Sequence, residues 1–345
     1  VMPDLIPDLS VAAGWLPLAF MIMMGLSILA YVILDGFDLG VGVLLPLAND
    51  SEKDLMIASI GPFWDANETW LVMGVGILLV AVPLAHGQVL TALYLPVSLM
   101  LIGLTLRGVA FDFRVKARAE HKTRWNNAFF AGSFIAAFAQ GYMLGELILG
   151  FELSLFAFLF SCFIGFCLAS GYALLGSAWL IAKTSGGLQR NAIAWARRSM
   201  ALTATGVGAV SLATPLLSER IYEKWFSVEN LIGVWPIPMI TVVLFIVLWH
   251  TLGRLPVRLD QDNEYGVWVP FYCGVGLFLL AFHGLAYSLF PWIVVDELTI
   301  WDAASAPESL MVIFVGAVVV LPMIIAYSIF VYRVFGGKAT PLEYY

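Results

Sequence analysis

Nine stretches of this sequence stay apolar for the length a helix needs to cross a lipid bilayer, and that alone leaves few folds open. A hydrocarbon core about 30 Å thick takes about 20 apolar residues at the helical rise. The runs cover residues 14–38, 60–84, 88–110, 127–149, 154–182, 197–217, 231–252, 267–290 and 308–334. Inside lipid every backbone N–H and C=O must find its partner within the chain, so runs of this length become helices. The predicted fold class is an all-α integral membrane protein of about nine transmembrane helices. Charged residues make up 12% of the chain, against about 25% in a soluble domain, so lipid must be part of its solvent.

The first run continues apolar from Leu39 to Leu47. It is too long for one upright crossing, which predicts a tilt or an interfacial segment. Asp4 and Asp8 precede it, and no Lys or Arg occurs before Lys53. A cleavable signal needs a positive leader, so this run reads as a permanent span. Pro96, Pro236, Pro238 and Pro322 fall within runs and predict local kinks. Ser305-Ala-Pro-Glu308 fits a capping box ahead of the last run, with Pro307 in the first helical turn. No sequence repeat, low-complexity tract or soluble domain is visible.

Loop charge gives the orientation. Nine spans put the termini on opposite sides. With the C-terminus cytoplasmic, the inner segments hold Lys53, Arg114, Lys116, Arg118, Lys122, Arg124, Lys183, Arg190, Arg197, Arg198, Arg254, Arg258, Arg333 and Lys338. The outer segments hold Arg220 and Lys224. The N-terminus is then outside. A net charge of -7 offers no basic face for nucleic-acid phosphates.

Carboxylates at membrane depth cost about 2.5–3.5 kcal/mol each on insertion scales, so they mark function by default. Asp35 and Asp38 lie at i,i+3 near the inner end of the first run. Asp65 and Glu68 lie at i,i+3 near the inner end of the second, and Arg107 with Asp112 closes the third. The i,i+3 spacing sets each acidic pair on one helical face. Several carboxylates in one desolvated site cannot all ionise, so protons must be shared among them. Two readings stay open on these residues. One is a proton-entry relay. The other is a structural network in which Arg107 neutralises one or two acids.

Glu146 lies one turn from the outer end of its run and reads as interfacial. Trp64 and Trp70 read as membrane-belt aromatics. Cys162, Cys167 and Cys273 form no CxxC pair and read as buried thiols packing as small hydrophobes. Gly40-Val-Gly42 and Gly74-Val-Gly76 read as close helix contacts. No phosphate-binding loop, dinucleotide fingerprint, nucleophile elbow or Cys/His zinc cluster occurs in a supporting context.

At the acidic motifs the chain resembles subunit II of the cytochrome bd ubiquinol oxidases. The matching blocks are Asp35-Gly-Phe-Asp-Leu-Gly-Val-Gly42, Pro62-Phe-Trp-Asp-Ala-Asn-Glu-Thr-Trp-Leu71, Arg107-Gly-Val-Ala-Phe-Asp-Phe-Arg114 and Leu298-Thr-Ile-Trp-Asp-Ala-Ala-Ser305. They stand in the family's order and span nearly the whole chain, and the Arg107 block is most similar to the cyanide-insensitive branch. Phe63 and Ala66 depart from the family pattern, which has a basic or small residue and a Gly at those places.

The resemblance implies a single transmembrane domain of two four-helix bundles, about 14–149 and 154–290, with a peripheral final helix at about 308–334. It implies a heterodimer with a homologously folded subunit I in the bacterial plasma membrane. That partner would ligate two b-type haems and haem d, where quinol electrons reduce oxygen to water. The chemistry builds a proton-motive force without pumping. Subunit II would support assembly and line a proton route through Asp35, Asp38 and Asp65, with Glu68, Arg107 and Asp112 beside them. Membrane lipid, a structural quinone and small single-helix subunits complete the implied partners.

Haem ligation by this chain itself is not expected. A b-type haem takes axial His or Met, and among His86, His121, His250 and His283 only His283 lies well inside a run. The alternative from another class is a proton-coupled transporter, though the internal repeats of such folds are missing.

Overall fold

The computed structural model describes residues 6–217, 219–227, 230–295 and 297–340. Asp4 and the side chain of Arg220 lie outside the described residues. Of the described residues 82% are helical. Its helices are α1 (Ala12–Leu44), α2 (Asp50–Ile60), α3 (Trp64–Ala81), α4 (Pro83–Ala92), α5 (Tyr94–Lys116), α6 (Ala119–Ile148) and α7 (Leu155–Lys183). They continue with α8 (Gly186–Leu217), α9 (Glu219–Phe226), α10 (Leu231–Val234), α11 (Pro236–Leu259), α12 (Val269–Leu289) and α13 (Pro307–Val334). Among the described residues eight helices are long and apolar enough to cross a membrane, or nine if the bent pair α3 and α4 is one span.

Each predicted run falls on a helix, with three local differences. The first run neither breaks nor turns aside after Asp38. It stays helical to Leu44 and continues as a 3-10 turn over Leu45–Leu47. At 1.5 Å per residue α1 is about 50 Å long.

Within the second run the chain bends by 119° into α4, which takes the end of that run and the start of the third. Pro83 opens α4 at its first position, and Val82 before it leaves helical geometry (φ -136°, ψ 62°). Proline lacks the N–H for a helical bond and pushes its predecessor out of the α region, so α3 must end there.

The capping box before α13 does not form. The N-cap is Ala306, with no side-chain bond. Ser305 instead donates its hydroxyl to Val80 O at 2.7 Å and its N–H to Ala81 O at 2.8 Å, capping the last carbonyls of α3. Of the four prolines expected to kink, Pro96, Pro236 and Pro238 sit in first turns, where the missing N–H costs little. Only Pro322 lies mid-helix.

The chain divides into two compact units. The first comprises residues 1–32, 62–94 and 289–336, and the second 33–61, 95–288 and 337–345. In the first, Leu16 and Phe20 of α1, Ala81 of α3 and Leu310 of α13 form a buried cluster, with Trp15 and Phe314 packed on it. A two-stranded antiparallel hairpin, β1 (Trp292–Val294) and β2 (Leu298–Thr299), precedes α13. Trp301, just beyond β2, donates its indole N–H to Gly14 O at 2.8 Å.

In the second unit α6, α7 and α8 pack in sequence order at glycine crossings. A Cβ on Gly145 would lie 2.8 Å from Ser161 Oγ. The short helix α2 carries a true capping box, Asn49 with Glu52. Three bonds tie it down: Asp54 to Arg114 of α5 (2.6 Å), Ser59 O to Trp179 of α7 (3.3 Å) and Glu52 to Asn191 of α8 (2.8 Å).

Candidate functional site

The segment Asp35-Gly-Phe-Asp38 lies in the unbroken second half of α1, and neither carboxylate has any solvent exposure. Each intervening side chain has a specific neighbour. Phe37 stacks on Trp179 at 4.2 Å between ring centroids, with Phe271 edge-on at 5.8 Å. Lys183 is buried, its ammonium 5.3 Å from the Trp179 ring. Gly36 lies against the ring of Tyr172, whose hydroxyl donates to Gln140 Oε1 at 2.6 Å. Two carboxylates thus sit between an aromatic wall and a small polar group, in a low-dielectric interior where charge is costly.

Arg107 reaches this motif from α5. Its Nη2 donates to Asp35 Oδ1 at 2.7 Å, with 2% of the Arg107 side chain exposed and none of Asp35. Glycine makes this reach available. A Cβ on Gly103 would stand 2.8 Å from Gly132 O, and one on Gly132 would stand 2.7 Å from the Arg107 N. Helices α5 and α6 therefore touch backbone to backbone one turn before the guanidinium.

On the other side α1 meets α7 at Gly40. A Cβ there would overlap the Tyr172 carbonyl and lie 3.0 Å from Gly176 N. Gly42 likewise abuts Ser133, and in the first unit Gly74 abuts Ile28, whereas Gly76 has nothing within 4 Å. Three of the four glycines read as close contacts are close contacts.

Two turns beyond Arg107 on the same face of α5, Arg114 is also buried. Its Nε donates to Asn126 Oδ1 at 2.5 Å and its Nη2 to Asp54 Oδ1 at 2.6 Å. Lys122 approaches the other Asp54 oxygen at 3.4 Å. The sequence reading counted Arg114 and Lys122 only as loop charge and missed Asp54 and Asn126, as well as Gln140 and Tyr172. The heptad spacing of Arg107 and Arg114 was the one available signal, since it puts both on one stripe of α5. Asp112 lies off that stripe and is exposed.

In the first unit Asp65 is exposed on the first turn of α3, and Glu68 is partly buried. The buried polar residue of this turn is Asn67, whose Oδ1 accepts from the Tyr332 hydroxyl at 3.0 Å. Phe63 is buried, stacked on Tyr332 at 4.6 Å with Phe335 edge-on at 6.1 Å. The departure at Phe63 thus fastens the end of α13 to α3. Ala66 and Thr69 line a shallow groove of about 400 Å³ with Val320, Met323, Ile324, Tyr327 and Ser328 of α13. Phe63→Ala should cost about 3–5 kcal/mol and lower the thermal midpoint of the detergent-solubilised protein. An unchanged midpoint would show that the stack does not hold α13.

His86, His121, His250 and His283 sit on α4, α6, α11 and α12, and none is buried. Among the described residues no three His, Cys, Asp or Glu side chains are grouped to hold a metal ion. Cys273 is buried, as expected for a thiol packing as a small hydrophobe, but Cys162 and Cys167 are only partly so. Both lie on α7, and Cys167 abuts Gly206 of α8.

The family described as cytochrome bd terminal oxidase subunit II matches residues 16–335. The cytochrome bd ubiquinol oxidase subunit 2 of Bacillus subtilis (strain 168) is 28% identical over 342 residues, covering 93% of this chain and 96% of that protein. The cytochrome bd-I ubiquinol oxidase subunit 2 of Escherichia coli (strain K12) is also 28% identical, over 92% of this chain and 94% of its own length. In the solved structure of the bd oxidase from Geobacillus thermodenitrificans, one chain shares this fold with a TM-score of 0.72. That likeness covers 93% of this chain and 98% of the other at 18% identity. With the family match running from the start of α1 past the end of α13, this chain belongs to the cytochrome bd terminal oxidase subunit II family.

Proposed function

We propose that this chain carries protons from the cytoplasmic side toward oxygen reduction, and that its buried ion pair holds the route in shape. As a subunit II it is part of a haem-containing quinol oxidase of the inner membrane and has a subunit I as partner. Family membership leaves nothing in support of the transporter alternative.

The observation that carries the proposal is the pairing within one buried motif. Asp35 is paired with Arg107 at 2.7 Å. Asp38, one turn on along the same face of α1, has no exposure. A second full negative charge there would face both like-charge repulsion and desolvation. Two carboxyl groups one turn apart in a desolvated site share protons, so Asp35 and Asp38 together, beside Arg107, are the proton-bearing centre of this reading. Asp65, Glu68 and Asp112, which are exposed or partly so, are further candidate proton carriers in the same proposal.

The same reading has the N-terminus outside and the C-terminus cytoplasmic, and it divides the chain into two four-helix bundles with a peripheral α13. Two b-type haems and haem d, bound by subunit I, supply the electron transfer and oxygen chemistry. A haem of b type takes axial His or Met in an enclosed pocket. The four histidines of this chain are dispersed over four helices. In this reading the chain's part is protons and assembly, with the haems on subunit I. Quinol, a structural quinone, lipid and small single-helix subunits belong to the same proposal.

Asp38→Asn and Asp65→Asn test it, because each removes a titratable group with almost no change in shape. The expected result is an assembled complex with its full haem spectrum and oxygen reduction slowed on the order of 100-fold. Normal turnover in both variants would sink the relay. Loss of the complex would favour a purely structural network in which Arg107 only neutralises the acids.

A further inference from the structure

We infer that the hairpin joining α5 and α6 is a docking surface for the headgroups of anionic phospholipids. Helix α5 ends at Lys116 and α6 begins at Ala119. Both are long and apolar enough to cross the bilayer, so the turn between them lies at a membrane surface.

Five cations fall within this hairpin, and the structure sorts them into two groups. Arg114 and Lys122 are taken up by Asp54, and Arg114 also by Asn126, which pins the base of the hairpin to α2. Lys116, Arg118 and Arg124 are exposed, and among the described residues none of the three is in an ion pair. The carboxylates of Asp112 and Glu120 are exposed nearby, and Glu120 lies 3.6 Å from His121. The unpaired charge is mainly positive, and it projects from a fixed base.

An independent feature marks the same level. Phe113 is 58% exposed and stacks on the half-buried Trp125, with ring centroids 5.4 Å apart and planes 27° apart. An outward aromatic pair one turn below a row of cations is the arrangement that settles at the headgroup layer. Rings lie among the glycerol and carbonyl groups, and long cationic side chains reach up to phosphate. Arginine forks suit the phosphodiester oxygens, since two parallel N–H groups match two oxygens. Each such cation near an anionic leaflet strengthens attachment several-fold, and the gain is screened by salt. An acidic protein surface would satisfy the charges but not the exposed ring pair, whose neighbours must be apolar.

The test uses the whole oxidase, purified through this chain and reconstituted in phosphatidylcholine with or without phosphatidylglycerol. The readouts are the phospholipid retained after detergent extraction and the thermal midpoint. The native complex should retain phosphatidylglycerol preferentially and gain thermal stability from it at low salt. K116Q/R118Q/R124Q should lose that preference by on the order of tenfold or more, with haem content unchanged. The charge-conserving variant K116R/R118K/R124K should keep it. A triple glutamine variant with undiminished preference would overturn the inference. So would a variant complex that sheds subunit I, because the cations would then dock on protein.

Discussion

Arg107→Met should destabilise the subunit by about 3–5 kcal/mol and deplete the membrane of assembled oxidase. The loss is not that of an ordinary ion pair. Exposed pairs contribute about 0–1 kcal/mol, because water solvates each partner when the other is removed. Here neither partner reaches water: Arg107 is 2% exposed, Asp35 not at all, and the bond is 2.7 Å long. Without the guanidinium, Asp35 must stay buried beside Asp38 either as a costly charge or by taking up a proton, and both alternatives cost stability.

Reduced-minus-oxidised spectra of solubilised membranes, read for the amount of intact haem-containing complex, would measure this. Asp35→Asn in the same chain should recover much of the loss, because it removes the stranded charge while nearly keeping its shape. If the double variant is as depleted as Arg107→Met alone, the pairing is not what Arg107 contributes. If Arg107→Met accumulates normally, the ion pair carries little of the fold.

Gly40→Val should be at least as damaging, for a reason with no electrostatics in it. The crossing of α1 and α7 brings Gly40 onto the backbone of Tyr172 and Gly176. A first carbon on Gly40 would stand 2.5 Å from the Tyr172 carbonyl carbon. Backbone cannot rotate away as a side-chain tip can, so the helices must separate along the whole motif that carries Asp35 and Asp38. Overpacking of an ordinary core costs about 1–3 kcal/mol. A backbone collision between two spanning helices should exceed that, and the thermal midpoint and haem yield should fall together. Gly76→Ala is the matched control, since nothing lies within 4 Å of its added carbon. Helix propensity alone should then stabilise it by about 1 kcal/mol. Equal behaviour of the two variants would dispose of the crossing argument.

These expectations divide by how each could be reached. That α1 carries two carboxylates on one face follows from i,i+3 spacing, and so does the crossing glycine from its place beside them. Which faces turn inward does not follow. In water the apolar stripe of a helix names its buried side, but in lipid both sides are apolar and the stripe disappears. Hence Asp65 looked equivalent to Asp35, although Asp65 is exposed while its neighbour but one, Asn67, is buried against Tyr332. Asp112 and Asp54 reversed roles for the same reason, the first exposed and the second bonded to Arg114. The bend after α3 had a local signal in Pro83 that run-length reasoning passed over. The failed cap at Ser305 had none, because its hydroxyl is claimed by Val80, far away in sequence.

The separation between Asp35 and its partner also imposes a timetable on synthesis. Arg107 is made 72 residues after Asp35. At about 5–20 residues per second, α1 waits roughly 4–14 s for the charge that will neutralise it, while α2, α3 and α4 are still being delivered. During that interval a helix with two carboxylates cannot settle in hydrocarbon as it finally lies. It must be sheltered in the aqueous part of the insertion machinery, or enter with both acids protonated and surrender a proton when α5 arrives. Helix α1 thus leaves the ribosome well before it can reach its final environment, and slowing translation between α1 and α5 should lengthen the window in which quality-control proteases can reach it.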